Sequence, residues 1–211
     1  MTLSVLLATT NPAKAARLRV LAAGTGLTLI DASSIASPPE VEEEAASHLG
    51  NAIRKAVAWS RERPAVSLAS DGGLVIPALG DDWSSLVTRR GTGGDVSDEE
   101  HAVRLLRRMR DLHGDQRAAH WTEGIALARD GALLGAWEAS GQHGRIAEDY
   151  VPPPGGAGGF WIPGLWVSNA SGKRHWELSE ADLASADDPW LTLTPLVRNL
   201  LERLSRQGHS P

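Results

Sequence analysis

The chain has 211 residues, of which 42% are hydrophobic and 22% are charged, so it can bury a core and is not a disordered tail. It contains no cysteine, which excludes disulfide scaffolds, thiolate metal sites and cysteine nucleophiles. The net charge of -5 argues against a nucleic-acid partner held by a broad basic surface. Of the 21 cationic residues only three are lysines, Lys14, Lys55 and Lys173, and each therefore stands out as a candidate site residue.

The amino-terminal segment lacks the features of a secretory signal. No basic residue precedes its apolar run, which is interrupted at Thr9-Thr10-Asn11-Pro12. No other apolar run approaches the roughly 18 residues that a membrane-spanning helix needs. We therefore expect a cytoplasmic protein with no membrane partner.

Strand-like and helical patterns alternate in the first half of the chain. The predicted elements are, in order, a buried strand at residues 3–8, a helix at 13–23, a strand at 27–30, a long amphipathic helix at 45–63, strands at 66–69 and 74–79, and an N-capped helix at 97–112. The two later strands flank Ser70-Asp71-Gly72-Gly73, which we predict to be a polar glycine turn. This order predicts an α/β fold with a parallel component.

The second half of the chain is richer in strand-like patterns. Its predicted elements are a hairpin of residues 118–128 and 132–139 around Asp130-Gly131, a tryptophan-rich strand at 160–167, and helices at 179–183 and 194–206. Residues 151–159 are rich in proline and glycine and form either a flexible linker or an ordered loop. We expect one domain over residues 1–206 and a frayed tail at 207–211.

The turn from Thr9 to Lys14 is the first candidate site, because it joins a strand end to a helix start. Free backbone N–H groups and the positive end of the helix dipole favour an anion there, and Lys14 adds a full charge. The alternative is an ordinary capped helix with a solvated lysine, since the turn lacks the glycines of a phosphate-binding loop.

A run of carboxylates is the second candidate. It comprises Glu40, Glu42, Glu43 and Glu44, just ahead of the helix that carries Asn51 and Lys55. Carboxylates together with phosphate oxygens are the usual ligands of Mg²⁺. The alternative is a solvated charged face.

The third candidate is Asp71 in the predicted Ser70–Gly73 turn. An Asp that follows a buried strand lies where α/β proteins bind ligands, and the neighbouring glycines permit close approach of a ligand. The alternative is an aspartate that serves only the turn.

These candidates share their order and spacing with known motifs. The matches are Thr9, Asn11 and Lys14 to T-x-N-x-x-K; Glu43 eight positions before Asn51-Ala52 and Lys55-Ala56 in N-A-x-x-K-A; Ser70-Asp71-Gly72-Gly73-Leu74 to D-D-S-G-L; Arg89; Arg117-Ala118-Ala119 to R-x-A; Gly144-Arg145-Ile146 to G-x-I; Gly158-Gly159-Phe160 to G-G-F; and Gly172-Lys173 with Glu177-Leu178. In this pattern the chain resembles the inosine triphosphate pyrophosphatase family, whose members hydrolyse non-standard purine nucleoside triphosphates to monophosphate and pyrophosphate.

The resemblance implies a fold, a cofactor and a set of roles. The fold would be a long mixed β-sheet flanked by helices, with two lobes around a central nucleotide cleft, in a homodimer that uses Mg²⁺. The implied catalytic residues are Asp71, Glu43 and Lys14, with Glu43 and Asp71 as metal ligands and Asp71 alternatively as general base. The implied substrate-binding residues are Thr9, Asn11, Lys14, Lys55, Ser70, Gly72 and Arg89 towards the phosphates, and Phe160, Trp161, Lys173 and His175 towards the base.

The chain also departs from the family pattern where the base is read. The family's F-G-Y-D-P is Phe160-Trp161-Ile162-Pro163-Gly164 here, its S-H-R is absent near Thr192-Leu193-Thr194, and the first acid of D-D is Ser70. We therefore expect an altered base specificity, with inosine and xanthosine triphosphates not preferred. Trp161 and Trp166 supply either stacking surface or core, and His175 is the only histidine expected near the pocket.

Two other functions remain open at this level. The first is a hydrolase of a specialised pathway, of the nucleoside-antibiotic type, that acts on an unusual nucleotide or a monophosphate. The second is a catalytically inactive homologue that binds a nucleotide. Retention of Glu43, Asp71 and all three lysines favours polyphosphate or metal chemistry over an inactive protein.

Overall fold

The computed structural model describes residues 3–35, 37–42, 44–63, 65–87, 94, 96–156, 161–185 and 187–207. The chain divides into two compact units, each made of separate stretches of sequence. Unit 1 consists of Met1–Gly72, Glu123–Ala139 and Pro189–Pro211, and unit 2 consists of Gly73–Thr122 and Ser140–Asp188.

Within these described ranges the chain forms six strands and five α-helices. The strands are β1 (Ser4–Leu7), β2 (Thr28–Asp31), β3 (Val66–Val75), β4 (Ala118–Arg129), β5 (Ala132–Ile146) and β6 (Trp166–Ser168). The helices are α1 (Pro12–Ala22), α2 (His48–Glu62), α3 (Asp98–Arg108), α4 (Glu180–Ser185) and α5 (Pro189–Gln207). No helix in this part of the chain is both long and apolar enough to cross a bilayer.

The strands form one mixed sheet in the order β2-β1-β3-β4-β5-β6. β1 pairs in parallel with β2 and with β3, so that Leu6 lies opposite Ile30 on one side and Ser67 on the other. β5 and β6 pair antiparallel, with Ile146 opposite Trp166. The predicted α/β fold with a long mixed sheet and flanking helices is therefore confirmed.

The predicted turn at Ser70–Gly73 is wrong, because these residues lie inside the continuous strand β3. β3 stands between β1 and β4 in the sheet, so it has a hydrogen-bonded neighbour on each side. Strand pairing within the sheet holds the backbone extended and overrides the local turn preference of Asp-Gly. Ser70 and Asp71 are consequently buried in the sheet, at 1% and 6% exposure.

The predicted hairpin is confirmed, with β4 and β5 joined by Asp130-Gly131. Both turn residues have positive φ, 51° for Asp130 and 80° for Gly131, as a two-residue hairpin turn that matches the strand twist requires. The second strand extends seven residues beyond its predicted end because β6 provides a further partner at residues 144–146.

The predicted strand at residues 160–167 is mostly wrong. Ile162–Gly164 forms a 3₁₀ turn that carries Pro163 near its start, and only Trp166–Ser168 is a strand. Proline lacks the N–H that a strand interior needs, which explains the break. Residues 151–156 lie within unit 2 and not between the units, and Val151 donates a hydrogen bond to the Gly164 carbonyl at 3.1 Å, which favours the ordered loop over the linker.

Unit 1 buries both faces of its strands. One face packs against α1 and α5 through Val5, Leu7, Leu18, Val197 and Leu201. The opposite face packs against α2, and the contact is built mainly from small residues, with Ala69, Ala126 and Ala128 on the strands and Ala52 and Ala56 on the helix. Small side chains on this face allow α2 to lie close to the sheet.

Gly124 on β4 marks a close approach between α2 and the sheet. A Cβ atom at this position would lie 2.7 Å from the Leu49 Cα atom and 2.8 Å from its backbone nitrogen. The start of α2 is further held by Glu138, whose Oε2 accepts from the Leu49 N–H at 3.1 Å. The first turn of α2 therefore has a fixed position on the strands of unit 1.

We expect Gly124→Ala to lower the free energy of unfolding by about 1–3 kcal/mol, since the added methyl group meets helix backbone that cannot move alone. Urea unfolding followed by tryptophan fluorescence measures this change. Gly135→Ala is the control, because its new Cβ would meet side-chain atoms of Trp137 and Leu200 at 2.7 Å and 3.0 Å. An equal loss of unfolding free energy in both variants would contradict the expectation that contact with the α2 backbone costs more than contact with side chains.

Candidate active site

The carboxylate of Asp71 is the centre of a polar cluster in unit 1. Its Oδ1 accepts from Lys55 Nζ at 2.8 Å and from Lys14 Nζ at 3.5 Å. Its Oδ2 is 2.7 Å from His48 Nδ1. The structure thus brings together three of the predicted site residues and adds His48, which the sequence analysis did not select.

Local sequence explains why these side chains meet. Asn11 caps α1, its Oδ1 accepting from the Ala13 and Lys14 N–H groups at 2.9 Å and 3.3 Å, which places Lys14 in the first helical turn. Ser47 caps α2 so that the helix begins at His48. Lys55 follows His48 by seven residues, which is two helical turns, and both side chains therefore project from the same face of α2.

The partners of Asp71 decide its charge. Burial by itself would raise the pKa of this carboxyl, but the hydrogen bond from His48 and the charges of Lys14 and Lys55 outweigh it and hold the pKa well below the ordinary value. Asp71 is consequently an anion at neutral pH. Lys14 and Lys55 place two positive charges beside it, which suits a polyanion.

The lysines are accessible although Asp71 is not. The side chains of Lys14 and Lys55 are 26% and 15% exposed, against 8% for that of Asp71. A ligand can therefore contact the ammonium groups without opening the core. This is the property that a phosphate-binding lysine requires.

Glu123 on β4 is a second carboxylate in this region. Its Oε1 is buried, beside Ser70 of β3. Burial raises the pKa of Glu123, and the positive charge of Lys14 only partly opposes that effect. The pKa values of Asp71 and Glu123 are thus displaced in opposite directions.

The turn before α1 closes on itself. Thr9 Oγ1 accepts from the Asn11 N–H at 3.1 Å, and the Asn11 side chain accepts from two N–H groups of the helix start. The predicted free N–H groups at Asn11, Ala13 and Lys14 are therefore already bonded. The charge of Lys14, and not these amides, is what the turn offers to an anion in this state.

The acidic run is mostly solvated in the structure. Glu40, Glu42 and Glu44 are all exposed, as expected for a charged face. The segment after them is fastened by the buried Asn51, whose Oδ1 accepts from the Ala45 N–H at 3.0 Å. The predicted metal ligand Glu43 lies outside the described residues, as do Arg89 and Phe160.

The donors that are described fit Mg²⁺ only in part. No group of three or more His, Asp or Glu side chains is arranged to hold a metal ion within the described ranges. Asp71 and Glu123 are hard oxygen donors, and Mg²⁺ is commonly bound by one or two carboxylates completed by substrate phosphates. The chemistry of these two side chains therefore suits a cation that is bound together with a polyphosphate.

The residues predicted to approach the base lie in unit 2. Trp161 is 2% exposed and stacks on His101 with ring centroids 5.7 Å apart, so the structure places it in the core. Lys173 Nζ is 2.7 Å from Asp182 Oδ2. The ring of His175 packs 5.9 Å from that of Trp166.

Two side chains near Asp71, those of His48 and Glu123, were not selected from the sequence. The expectation that His175 is the only histidine near the pocket is wrong, since His48 contacts Asp71 directly. The helical spacing between His48 and Lys55 is the signal that identifies it. Glu123 is a single acid in an apolar strand pattern, between Thr122 and Gly124, and this break in the pattern is its only signal.

We expect Glu123 to destabilise the fold increasingly as the pH rises. A carboxyl with a raised pKa binds more protons folded than unfolded, so stability falls as pH increases from the ordinary value of 4.5 through the folded pKa. Glu123→Gln removes this pH dependence. From pH 5 to pH 8, its free energy of unfolding should therefore rise by on the order of 1 kcal/mol relative to that of the unsubstituted protein. Denaturant unfolding at both pH values measures the difference, with the exposed Glu62→Gln as control. A difference that is independent of pH would contradict the expectation.

Comparison with known sequences supports the resemblance seen in the motifs. The model of the Ham1 family matches residues 5–182. A dITP/XTP pyrophosphatase of Anaeromyxobacter sp. (strain Fw109-5) is 30% identical over 233 aligned residues, which cover 98% of this chain and 100% of that protein. A dITP/XTP pyrophosphatase of Thermus thermophilus is 35% identical over 176 residues, covering 83% of this chain and 81% of the other.

Solved structures show the same fold. The Ham1 protein of Staphylococcus aureus superposes with a TM-score of 0.78 at 20% identity, over 95% of this chain and 99% of that one. A nucleoside-triphosphatase / dITP/XTP pyrophosphatase from Mycobacterium abscessus gives a TM-score of 0.71 at 25% identity, over 94% and 98% of the two chains. With a family match from residue 5 to residue 182 and relatives at 30% identity or more, the chain belongs to the Ham1 family.

Proposed function

We propose that the protein hydrolyses a nucleoside triphosphate to the nucleoside monophosphate and pyrophosphate. The observation that carries the proposal is the pair of accessible lysines, Lys14 and Lys55, on the buried carboxylate of Asp71. By family the protein is a hydrolase of the nucleotide pyrophosphatase class, and the curated relatives described above are dITP/XTP pyrophosphatases.

The lysines bind the polyphosphate in this proposal. In the free protein both ammonium groups donate to Asp71 Oδ1, and they have exposed surface towards solvent. A triphosphate carries several negative charges and competes with the Asp71 carboxylate for these donors. Lys14 and Lys55 would then neutralise charge that develops on the phosphates during hydrolysis. Further phosphate contacts come by the family resemblance from Thr9, Asn11, Ser70, Gly72 and Arg89.

Magnesium is the proposed cofactor, with Asp71 and Glu43 as its ligands. When bound, Mg²⁺ would offset the charge of the phosphate oxygens. The lowered pKa of Asp71 supports this role, because the group is ionised at neutral pH. The same low pKa makes Asp71 a weak proton acceptor, so between the two predicted roles we favour the metal ligand over the general base.

The proposal includes an altered preference for the base. The family's aromatic hydroxyl and acid in F-G-Y-D-P are replaced by Ile162 and Pro163, which carry no hydrogen-bonding side chain. At the position of S-H-R, Leu193 is buried in α5 and the Thr194 hydroxyl donates to the Trp190 carbonyl at 2.6 Å. These side chains give little basis for selecting inosine or xanthosine.

We also propose, from the resemblance, that the protein works as a cytoplasmic homodimer. Light scattering that gave the mass of a single chain at micromolar concentration would contradict the dimer.

Asp71→Asn and Lys55→Met should each lower kcat/KM by about 100-fold or more, because the first removes the carboxylate proposed to bind Mg²⁺ and the second an ammonium group proposed to bind the phosphates. Pyrophosphate and monophosphate release are measured with Mg²⁺ and a panel of triphosphates. Asp31→Asn is the control, since it makes the same change in an exposed pair with Arg19 of the same unit. Unchanged activity in Asp71→Asn would remove the mechanism, and nucleotide binding without turnover in the unsubstituted protein would indicate an inactive homologue.

We expect ITP, dITP and XTP not to be hydrolysed in preference to other nucleoside triphosphates. An apolar pocket discriminates weakly between polar analogues, whereas a pocket with hydrogen-bonding groups rejects the wrong base strongly. The measurement is kcat/KM for each triphosphate under one set of conditions. Strong selectivity for inosine or xanthosine nucleotides would overturn this part of the proposal.

A further inference from the structure

We propose that His48 is a positioning residue for Asp71. Its Nδ1–H holds the carboxylate by Oδ2, so that Oδ1 keeps its direction when Lys14 and Lys55 turn to the phosphates. This inference rests on the proposed function and deepens it, because it names what keeps the site in order while a nucleotide is bound.

The contacts of Asp71 are divided between its two oxygens. Both lysines donate to Oδ1, at 2.8 Å and 3.5 Å, whereas His48 Nδ1 lies 2.7 Å from Oδ2. Of these donors, the two on Oδ1 have accessible side chains that a phosphate can contact. His48 is 5% exposed, so a phosphate does not reach its ring as it reaches the lysines.

The chemistry of the pair follows from the charge of Asp71. An ionised carboxylate only accepts hydrogen bonds, so the proton of this contact is on His48 Nδ1. The terminal torsion of an aspartate is broad, and a carboxylate that lost both lysines would rotate unless another donor held it. A single short hydrogen bond from a buried imidazole supplies that restraint.

The backbone of His48 is itself restrained. Ser47 caps the helix by accepting from the Gly50 N–H at 3.0 Å, and Glu138 accepts from the Leu49 N–H at 3.1 Å. The same turn rests on Gly124, where there is no room for a side chain. The imidazole is therefore attached to a segment that is fixed on the strands of unit 1.

The first experiment separates the hydrogen bond from the bulk of the side chain. His48→Leu keeps an apolar volume and removes the donor, and we expect kcat to fall by about 10- to 100-fold with KM changed less than about threefold. His48→Asn places an amide donor near the position of Nδ1 and should recover most of kcat. His48→Gln places its donor near Nε2 and should not. His120→Leu, at a half-buried histidine of unit 2, controls for loss of an imidazole and should leave kcat unchanged.

The outcomes distinguish this inference from the function on which it rests. Absence of hydrolysis in the unsubstituted protein overturns the proposed function. Hydrolysis that persists at full kcat in His48→Leu overturns only the role of His48. If His48 were purely structural, His48→Leu would instead lower the melting temperature and, by displacing Lys55, raise KM. His48→Asn would not recover either loss.

A second measurement does not depend on turnover or on His48→Leu folding. In protein labelled with ¹⁵N-histidine, the Nδ1–H of His48 should give a downfield, slowly exchanging proton signal that shifts in Asp71→Asn. The signal should persist when a non-hydrolysable α,β-methylene triphosphate and Mg²⁺ are added. Loss of the signal on nucleotide binding would show that the imidazole releases Asp71 and would overturn the proposal.

Discussion

The buried negative charge of Asp71 is the constraint on which the rest of unit 1 depends. A carboxylate at 6% exposure is stable only when it is paired and hydrogen bonded. Its three donors come from two helices, Lys14 from α1 and His48 and Lys55 from α2. Removing one member of such a buried pair typically costs about 3–5 kcal/mol, so the positions of both helices are tied to this one side chain.

The small residues on the α2 face of the strands serve the same contact. Gly124 and the alanines beside it let α2 approach until His48 and Lys55 reach a strand residue, which larger side chains would prevent. Helix position and site chemistry are thus not separate properties of this unit. The packing of α2 determines the hydrogen bonds of Asp71, and these hydrogen bonds in turn keep the carboxyl group ionised.

The sequence predicted the elements with strong local signals. The apolar run of β1, the capped start of α1 and the amphipathic α2 are specified by neighbouring residues, and Lys14 and Lys55 were found through them. The extended course of β3 through Asp71 could not be predicted this way, since it depends on strand pairing within the sheet and not on neighbouring residues. His48 and Glu123 were missed for a related reason. Each is one polar residue whose role depends on the residues that the fold places beside it, and these are distant in sequence.

The burial of the tryptophans also bears on base recognition. Trp161 and Trp166 belong to the core of unit 2, and Gly144 leaves the space that Trp166 fills, since a Cβ there would lie 2.5 Å from Trp166 Cε2. Rings with 1–2% exposure offer no face on which a base can stack. The departure from the family motif is therefore a loss of hydrogen-bonding groups without a gain of stacking surface. Loss of such groups weakens discrimination among bases and leaves the phosphate contacts of Lys14 and Lys55 unchanged, which is why we expect a relaxed and not a switched specificity.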